Sequence, residues 1–468
     1  MQKADFDPNL MPEGVIQIIK TLENAGYEAY AVGGCVRDCL LGRVPADWDI
    51  TTSALPQEVK KLFRKTIDTG IKHGTVTVLL KEKGKLTSYE VTTYRIDGEY
   101  EDGRHPREVV FSASLEEDLK RRDFTVNAMA WHPERGIVDL FGGREDLEKH
   151  IIRCVGDPHE RFSEDALRMM RAVRFAAQLK GSIDEDTAAA AKELADNIRK
   201  VSAERIRVEA EKLLVSDEPY KFKLFYEYGL TGHFLPEFDA CMETEQETPH
   251  HCYSVGEHIL HSLESIDTGA LAEEIGEEGF KAALKFLRIS MLLHDIAKPL
   301  MKTVDEKGIC HFKGHPKKSA EMADVILKRL KYDNDTINVV KKLIEFHDDR
   351  TEADRRLLRR FINRAGREAF PLIFYIQEAD VKAQSSYKRE EKLNRIYRIH
   401  SLWKDIEEKA ECVTLSQLCV KGADLIEAGI SPGPAMGEIL NLMLSDVLED
   451  PEHNTKEYLL EKYVKRKA

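Results

Sequence analysis

Over residues 1 to about 150, short apolar runs alternate with polar positions at "EAYAVGG" (28–34), "GTVTVLL" (74–80), "LTSYEVTTYR" (86–95) and "REVVF" (107–111). This period of two predicts strands, and the helical pieces between them predict an α+β region built on a mixed sheet. From "SEDALRMMRAVRFAAQL" (163–179) onward the apolar positions recur at helical spacing with few strand candidates, so the remainder is predicted to be nearly all helix. Breaks near "VGDPHERF" (155–162), near "VSDEPY" (215–220) and after the helix that follows Asp380 divide the chain into a head (1–150), a helical neck (151–215), a helical body (216–385) and a helical tail (386–468). No internal repeat or low-complexity segment is present.

At 468 residues and 42% apolar content the chain can fill more than one core. It has no run of about 18 apolar residues, and "MQKADFDPNLMPEG" at the N-terminus lacks a signal-peptide core. A cytoplasmic protein without a membrane partner is expected. Eight cysteines without a CxxC pair speak against a zinc ribbon or a disulfide framework. The net charge of −13 opposes a uniformly basic surface. Local clusters at "KLFRK" (61–65), "RRLLRRFINRAGR" (355–367) and "KREEKLNRIYR" (388–398) permit an RNA surface without showing one, since such a cluster is more often a solvated helix face.

The candidate chemistry begins at "VGGCVRDCLLGRVPADWDI" (32–50). Gly33 and Gly34 follow an apolar strand and open a helix, where backbone amides can reach a phosphate, with Arg37 one turn in. Asp47 and Asp49 flank Trp48, so on a strand both point to one face. Two adjacent carboxylates repel unless a cation lies between them, and a divalent metal such as magnesium, which brings a phosphate with it, is the usual answer.

"GGCVRD", "DWDI", "RRDFTVNAMAW" (121–131) and "EDALRMMRAVRF" (164–175), in this order and spacing, resemble the class II tRNA nucleotidyltransferases, which are CCA-adding enzymes related to bacterial poly(A) polymerases within the polymerase β superfamily. The resemblance implies template-free addition of C, C and A to the 3′ end of tRNA from CTP and ATP. Asp47 and Asp49 would then hold two Mg²⁺ ions for in-line attack on the α-phosphorus. Glu90 in "SYEVTTYR" is placed to join them, or is an exposed strand residue. Arg122 and Asn127 are similar to nucleotide-binding residues of the family, and Asp123 is equally suited to capping the helix after it.

In the neck, a helix predicted to begin near Ser163 sets Asp165, Arg168, Arg171 and Arg174 at steps of three. A carboxylate and a guanidinium one turn apart match a base edge: Asp165 can accept from N4 of C or N6 of A, and Arg168 can donate to N3 of C or N1 of A. U and G present a carbonyl where the amine should be. The similar motif of the family selects CTP and ATP this way, leaving Arg171 and Arg174 for the base or the triphosphate. The alternative is a surface helix with internal salt bridges. The segment "IDGEYEDGRHPRE" (96–108) resembles the family's flexible loop, associated with the switch from C to A.

Downstream, His258, His294, Asp295, His315, His347 and Asp380 look like an HD-domain metal site, with His250, His251 and His261 competing for the position of His258. Imidazoles suit manganese, nickel, iron or zinc better than magnesium, and a metal hydroxide there can hydrolyse phosphoesters, 2′,3′-cyclic phosphates included. "VKGADLIEAGISPGPAMGEIL" (420–440) resembles the family's tail, in which Gly422, Gly429, Gly433 and Gly437 punctuate two short helices that either offer amides to RNA phosphates or form a plain hairpin.

The sequence is therefore identified as a nucleotidyltransferase with partners tRNA, CTP and ATP and an appended HD phosphohydrolase domain. The alternatives are an A-adding enzyme or poly(A) polymerase, and an HD phosphohydrolase that uses the head only to bind RNA.

Overall fold

The computed structural model describes residues 10–71, 74–97, 109–112 and 114–464. The chain divides into two compact units, Met1–Phe234 and Leu235–Ala468, a coarser division than the four parts expected.

The first unit is built on a seven-stranded sheet. Its strands are β1 (Ala29–Val32), β2 (Asp49–Thr52), β3 (Thr66–Gly70), β4 (Thr75–Glu82), β5 (Lys85–Thr93), β8 (Met129–His132) and β9 (Gly136–Asp139); β6 (Arg95–Asp97) and β7 (Val109–Phe111) pair separately. The order is β3-β4-β5-β2-β1-β8-β9. Only the β2/β5 pairing in this sheet is parallel, with Asp49 opposite Glu90. β1 reads "AYAV" and is buried at every position, as a central strand covered on both faces must be. The helix Glu13–Asn24 lies against it through Val15, Ile18, Ile19 and Leu22, an i, i+3, i+4, i+7 stripe. The strands expected at 28–34, 74–80, 86–95 and 107–111 are all present, with shifted ends. β3 and β9 escape the sequence pattern because β3 lies largely exposed and β9 is only half-buried, so neither needs an alternating apolar face.

Helices carry the rest of this unit. Leu167–Gln178 packs on Ala203–Leu214, and the first buries Met170, Val173 and Ala177 while the second buries Ile206, Ala210 and Leu213. Phe222, Phe225 and Phe234 close its base edge to face, with centroids 5.2 to 6.4 Å apart. One parallel pair, Ile151–Ile152 with Ser182–Ile183, interrupts the helical pattern.

Among the described residues, the regular elements of the second unit are helices apart from the pair Thr303–Val304 and Cys310–His311. No helix among the described residues is long and apolar enough to cross a membrane. The basic run 355–367 covers the helix Arg355–Ala365 and the two residues after it, and its arginines are paired within the unit. Arg355 pairs with Asp405 and Glu411, Arg359 with Glu411 and the carbonyls of Leu448 and Glu449, Arg364 with Asp349 and Arg367 with Glu407. In the tail, Gly422 opens the helix Gly422–Glu427, and Gly429 and Gly433 lie between it and Pro434–Glu449. Gly437 does not punctuate: it sits inside the second helix, which is longer than expected. Residues 98–108 of the expected flexible loop lie outside the described residues.

Gly143 shows how tightly the head is closed around the turn Thr125–Asn127. A β-carbon there would lie 2.2 Å from the Thr125 carbonyl oxygen and 2.9 Å from Met129 Cγ. The backbone oxygen belongs to the turn Thr125–Asn127 and cannot move aside cheaply. Gly143→Ala should cost about 1–3 kcal/mol, as overpacking does, seen as an earlier denaturant midpoint; an unchanged midpoint would show that the turn is free to shift.

Candidate functional site

The carboxylates come first, because the sheet fixes them. Asp49 opens β2 and Asp47 lies two residues before it; both reach the surface while Trp48 and Ile50 are buried, so the expected alternation holds. On β5 Tyr89 and Val91 turn inward and Glu90 outward, in register with Asp49. Desolvation raises the Asp49 carboxyl, Arg122 opposes the rise and Asp47 adds to it. Glu90 is raised by desolvation, then by Asp49 and Asp47. Three acids that feel one another's charge form a cation-seeking edge.

Beside them, Gly33 turns from β1 into the helix Gly34–Leu40 at φ 82°, a conformation that favours glycine. A β-carbon on Gly33 would also lie 2.9 Å from Arg122 Nη1. Arg122 is held by the fully buried Asp118, which also accepts from Thr51 Oγ1 at 3.0 Å and pairs with Arg121 at 2.8 Å.

Asp123 does not cap a helix. It is buried and accepts from Phe124 N–H at 2.9 Å, Asn127 Nδ2 at 3.2 Å and Arg171 Nε at 2.7 Å. Asn127 Oδ1 in turn accepts from Arg37 Nη1 at 2.6 Å. The network runs on through Arg171 to Glu209 at 4.0 Å, and Glu209 binds Arg174 Nε at 2.6 Å. The ring of Phe175 lies under three guanidiniums, with Arg174 at 3.9 Å and Arg37 and Arg171 each at 5.2 Å. Burial lowers Arg174 to about 10. Four expected nucleotide-binding residues, Arg37, Asn127, Arg171 and Arg174, are thus brought into one network.

The neck helix differs from expectation. It does not run through from Ser163: Pro158–Glu164 ends, Asp165 is extended at φ −145° and ψ 102°, and a new helix runs Leu167–Gln178. Asp165 Oδ1 accepts from Leu167 N–H at 3.1 Å, and such local side-chain bonding competes with helix continuation. Asp165 and Arg168 each have partners other than a base. Asp165 takes a two-pronged contact from Arg205, and Arg168 pairs with Glu164 at 2.5 Å and donates to the carbonyls of Arg161 and Arg121. Sequence reasoning missed Asp118, Arg205, Glu209 and Phe175. Arg205 and Glu209 lie four apart in "AERIRVEAEKLL", a spacing shared with any surface salt bridge, and nothing in it signals partners 35 to 40 residues away.

A second cluster lies within the Leu235–Ala468 unit, and all six expected residues meet there. Asp295 and His294, just past the helix Thr268–Leu293, form one triad with His258 and, through Asp295, a second with His315 and His347, each with ligand atoms within 4.8 Å. Asp380 accepts from His258 Nε2 at 2.8 Å. Nδ1 of His294, His315 and His347 faces the carbonyls of Met291, Phe312 and Ile344 at 2.8, 2.8 and 2.6 Å. A carbonyl only accepts, so in the neutral ring each Nδ1 carries the proton and each Nε2 a lone pair. His315 Nε2 and His347 Nε2 then stand 3.2 Å apart, lone pair towards lone pair, and buried His294 Nε2 stands 3.2 Å from Asp295 Oδ2. That donor set fits a transition metal. Of the competitors, His251 stacks edge-on against His258 and is lowered to about 2 by burial, His250 bonds Lys392, and His261 packs on Tyr253. Lys298, buried, lies 2.6 Å from Asp295 Oδ2 and donates to Gln246 Oε1. The cluster opens on a cavity of about 520 Å³ edged by Lys313, Arg350 and Lys392.

A mixed sheet with clustered acids, carried on a helical neck, defines a nucleotidyltransferase fold, and the comparisons agree. The family described as "Poly A polymerase head domain" matches residues 29–153, "Probable RNA and SrmB- binding site of polymerase A" matches 182–242, and a tRNA nucleotidyltransferase domain 2 family matches 309–463. The CCA-adding enzyme of Lactobacillus helveticus is 50% identical over 250 residues, 53% of this chain and 61% of that protein; the match spans about three-fifths of that relative. The CCA-adding enzyme of Pediococcus pentosaceus is 35% identical over 446 residues, 95% of each chain. The crystal structure of the Bacillus stearothermophilus CCA-adding enzyme in complex with CTP aligns with a TM-score of 0.71 at 30% identity, covering 98% of this chain and 99% of that one. The chain belongs to the family of CCA-adding enzymes.

The Asp123 network makes a prediction in pH. Burial opposes ionisation of Asp123, but the charge and hydrogen bond of Arg171 and the amide of Asn127 outweigh it and hold the carboxyl at about 2, below the ordinary 3.8. A carboxyl lowered on folding stabilises fully above the unfolded value and loses that contribution as pH falls through the folded one. Asp123→Asn should cost about 2 kcal/mol at neutral pH, and its deficit against the wild type should shrink from about pH 4 to about 2. Denaturant titrations of both proteins across that range measure it; a deficit independent of pH would refute an ionised Asp123.

Proposed function

We propose that the protein adds C, C and A to the 3′ end of tRNA from CTP and ATP, without a nucleic-acid template, in the cytoplasm. The observation that carries this reading is the acidic edge of Asp47, Asp49 and Glu90 in the same compact unit as the Arg37–Asn127–Asp123–Arg171 network. Asp47 and Asp49, with Glu90 as a third acid, would hold Mg²⁺, whose chemistry is to acidify the RNA 3′-hydroxyl and neutralise the triphosphate. Arg122 and Arg37 present positive charge to the phosphates, and Asn127 fixes Arg37. Gly33 and Gly34 leave room for close approach of a phosphate to the backbone. Asp165 accepts from the exocyclic amine of C or A, and Arg168 donates to the adjacent ring nitrogen; Arg171 and Arg174 serve the base or the triphosphate. A carboxylate facing the O4 of U or the O6 of G is repelled, which leaves only two of the four nucleotides as substrates.

The expected test result is specific. Asp47→Ala or Asp49→Ala should lower nucleotide addition by about a thousandfold or more while tRNA binding stays near normal. The assay sizes products on tRNA lacking its terminal A, CA or CCA with each nucleotide singly. Addition of A alone would identify an A-adding enzyme, long A tracts a poly(A) polymerase, and near-normal turnover of either variant would refute the acidic edge as the reaction centre.

The converging imidazoles favour a second activity. His258, His294, Asp295, His315, His347 and Asp380 would hold manganese, nickel, iron or zinc, which supplies a metal-bound nucleophile for phosphoester hydrolysis. His294→Ala combined with Asp295→Ala should abolish bound metal, measured by elemental analysis, and any 2′,3′-cyclic phosphodiesterase activity, and should spare CCA addition. Retained metal, or equal loss of both activities, would rule the separate site out.

A further inference from the structure

We propose that Arg205 is a specificity-determining positioning residue: it touches no nucleotide and acts by fixing the plane of the Asp165 carboxylate. The inference rests on the reading of Asp165 as the acceptor for the base amine.

Asp165 is badly placed to orient itself. It sits at the break between Pro158–Glu164 and Leu167–Gln178, extended, outside both hydrogen-bonded helices. Within its own segment its carboxylate has one hydrogen bond, from Leu167 N–H to Oδ1, and a single bond to one oxygen leaves the plane free to swivel. Arg205 removes that freedom. Its Nη1 lies 3.3 Å from Oδ1 and its Nη2 2.7 Å from Oδ2, a planar fork on both oxygens. Each carboxylate oxygen has two lone pairs, so the fork leaves acceptor capacity for an exocyclic amine.

The arginine is itself held on a firm support. It projects from the helix Ala203–Leu214, which packs through Ile206, Ala210 and Leu213. One turn on, buried Glu209 holds Arg174 at 2.6 Å, so residues four apart on one helix face grip the base-reading segment at two points. A fixed acceptor rejects a carbonyl by repulsion; a swivelling one can turn aside and let the carbonyl pair. Loss of Arg205 should therefore damage discrimination more than turnover with the correct nucleotide.

The test is single-nucleotide incorporation of CTP, ATP, UTP and GTP on tRNA lacking its terminal A or CA, comparing wild type with Arg205→Ala, Arg205→Lys, Asp165→Ala and the Arg205→Ala/Asp165→Ala double variant. Arg205→Ala should lower the preference for CTP over UTP by about tenfold or more, mainly by raising kcat/KM for UTP. Arg205→Lys, with charge but no fork, should fall between it and wild type, and the double variant should discriminate no worse than Asp165→Ala alone. If Arg205→Ala does not fold, Arg205→Lys carries the comparison. Wild-type selectivity in the Arg205 variants beside relaxed selectivity in Asp165→Ala would overturn this inference alone. Wild-type selectivity in Asp165→Ala would overturn the base-reading assignment itself. Equal loss for all four nucleotides would mean that Arg205 only supports the fold.

Discussion

The buried carboxylate of Asp123 is the contact on which the network of Arg37, Asn127 and Arg171 depends. It lies 7% exposed between the sheet and the neck helices, and an unpaired charge there would cost several kcal/mol. The cost is met by Arg171 from the neck and Asn127 from the head. That requirement explains the geometry around it: Asn127, satisfied on one side by Asp123, has its oxygen left to orient Arg37, and Arg171 is drawn to where Glu209 and Phe175 also hold it. The sheet positions the acids and this ion pair positions the cations, so both halves of the site belong to one rigid arrangement.

Much of the site was legible because it depends on short-range rules. Asp47, Trp48, Asp49 and Ile50 alternate out and in, as the pleat requires, and the six expected metal ligands were visible as residue types that are rarely buried together without cause. What escaped depends on long-range pairing or on context. The break at Asp165 was missed because aspartate inside an otherwise helical pattern reads the same whether its side chain caps or faces solvent. Asp123 read as a cap because nothing local reveals a partner 48 residues away. The fold class followed from periodicity, while the exposed β3 did not, since it carries no alternating apolar face, and the length of Pro434–Glu449 did not, since a glycine such as exposed Gly437 reads as a helix break.

In the second unit, backbone carbonyls decide the chemistry. By holding the Nδ1 protons of His294 and His347, the carbonyls of Met291 and Ile344 in the last turns of two helices turn the Nε2 lone pairs toward Asp295, and the Phe312 carbonyl in the turn before the helix His315–Arg329 does the same for His315. The last turn of a helix leaves carbonyls without intrahelical partners. Here two such carbonyls and one turn carbonyl select the tautomer, so the ring orientation is an outcome of backbone geometry and needs no further acidic partner to impose it.

The arginines of the basic run 355–367 bear on the whole molecule's electrostatics. Their charges are matched by Asp349, Asp405, Glu407, Glu411 and Glu449, so the densest basic stretch of the sequence projects little field into solvent. Long-range attraction of a polyanion then falls to scattered lysines and to the cations gathered around the acidic edge, against a background of net charge −13. A polyanion meeting such a molecule would be drawn by a few local charges and not by the molecule's overall field, so its orientation would be set before any close contact forms.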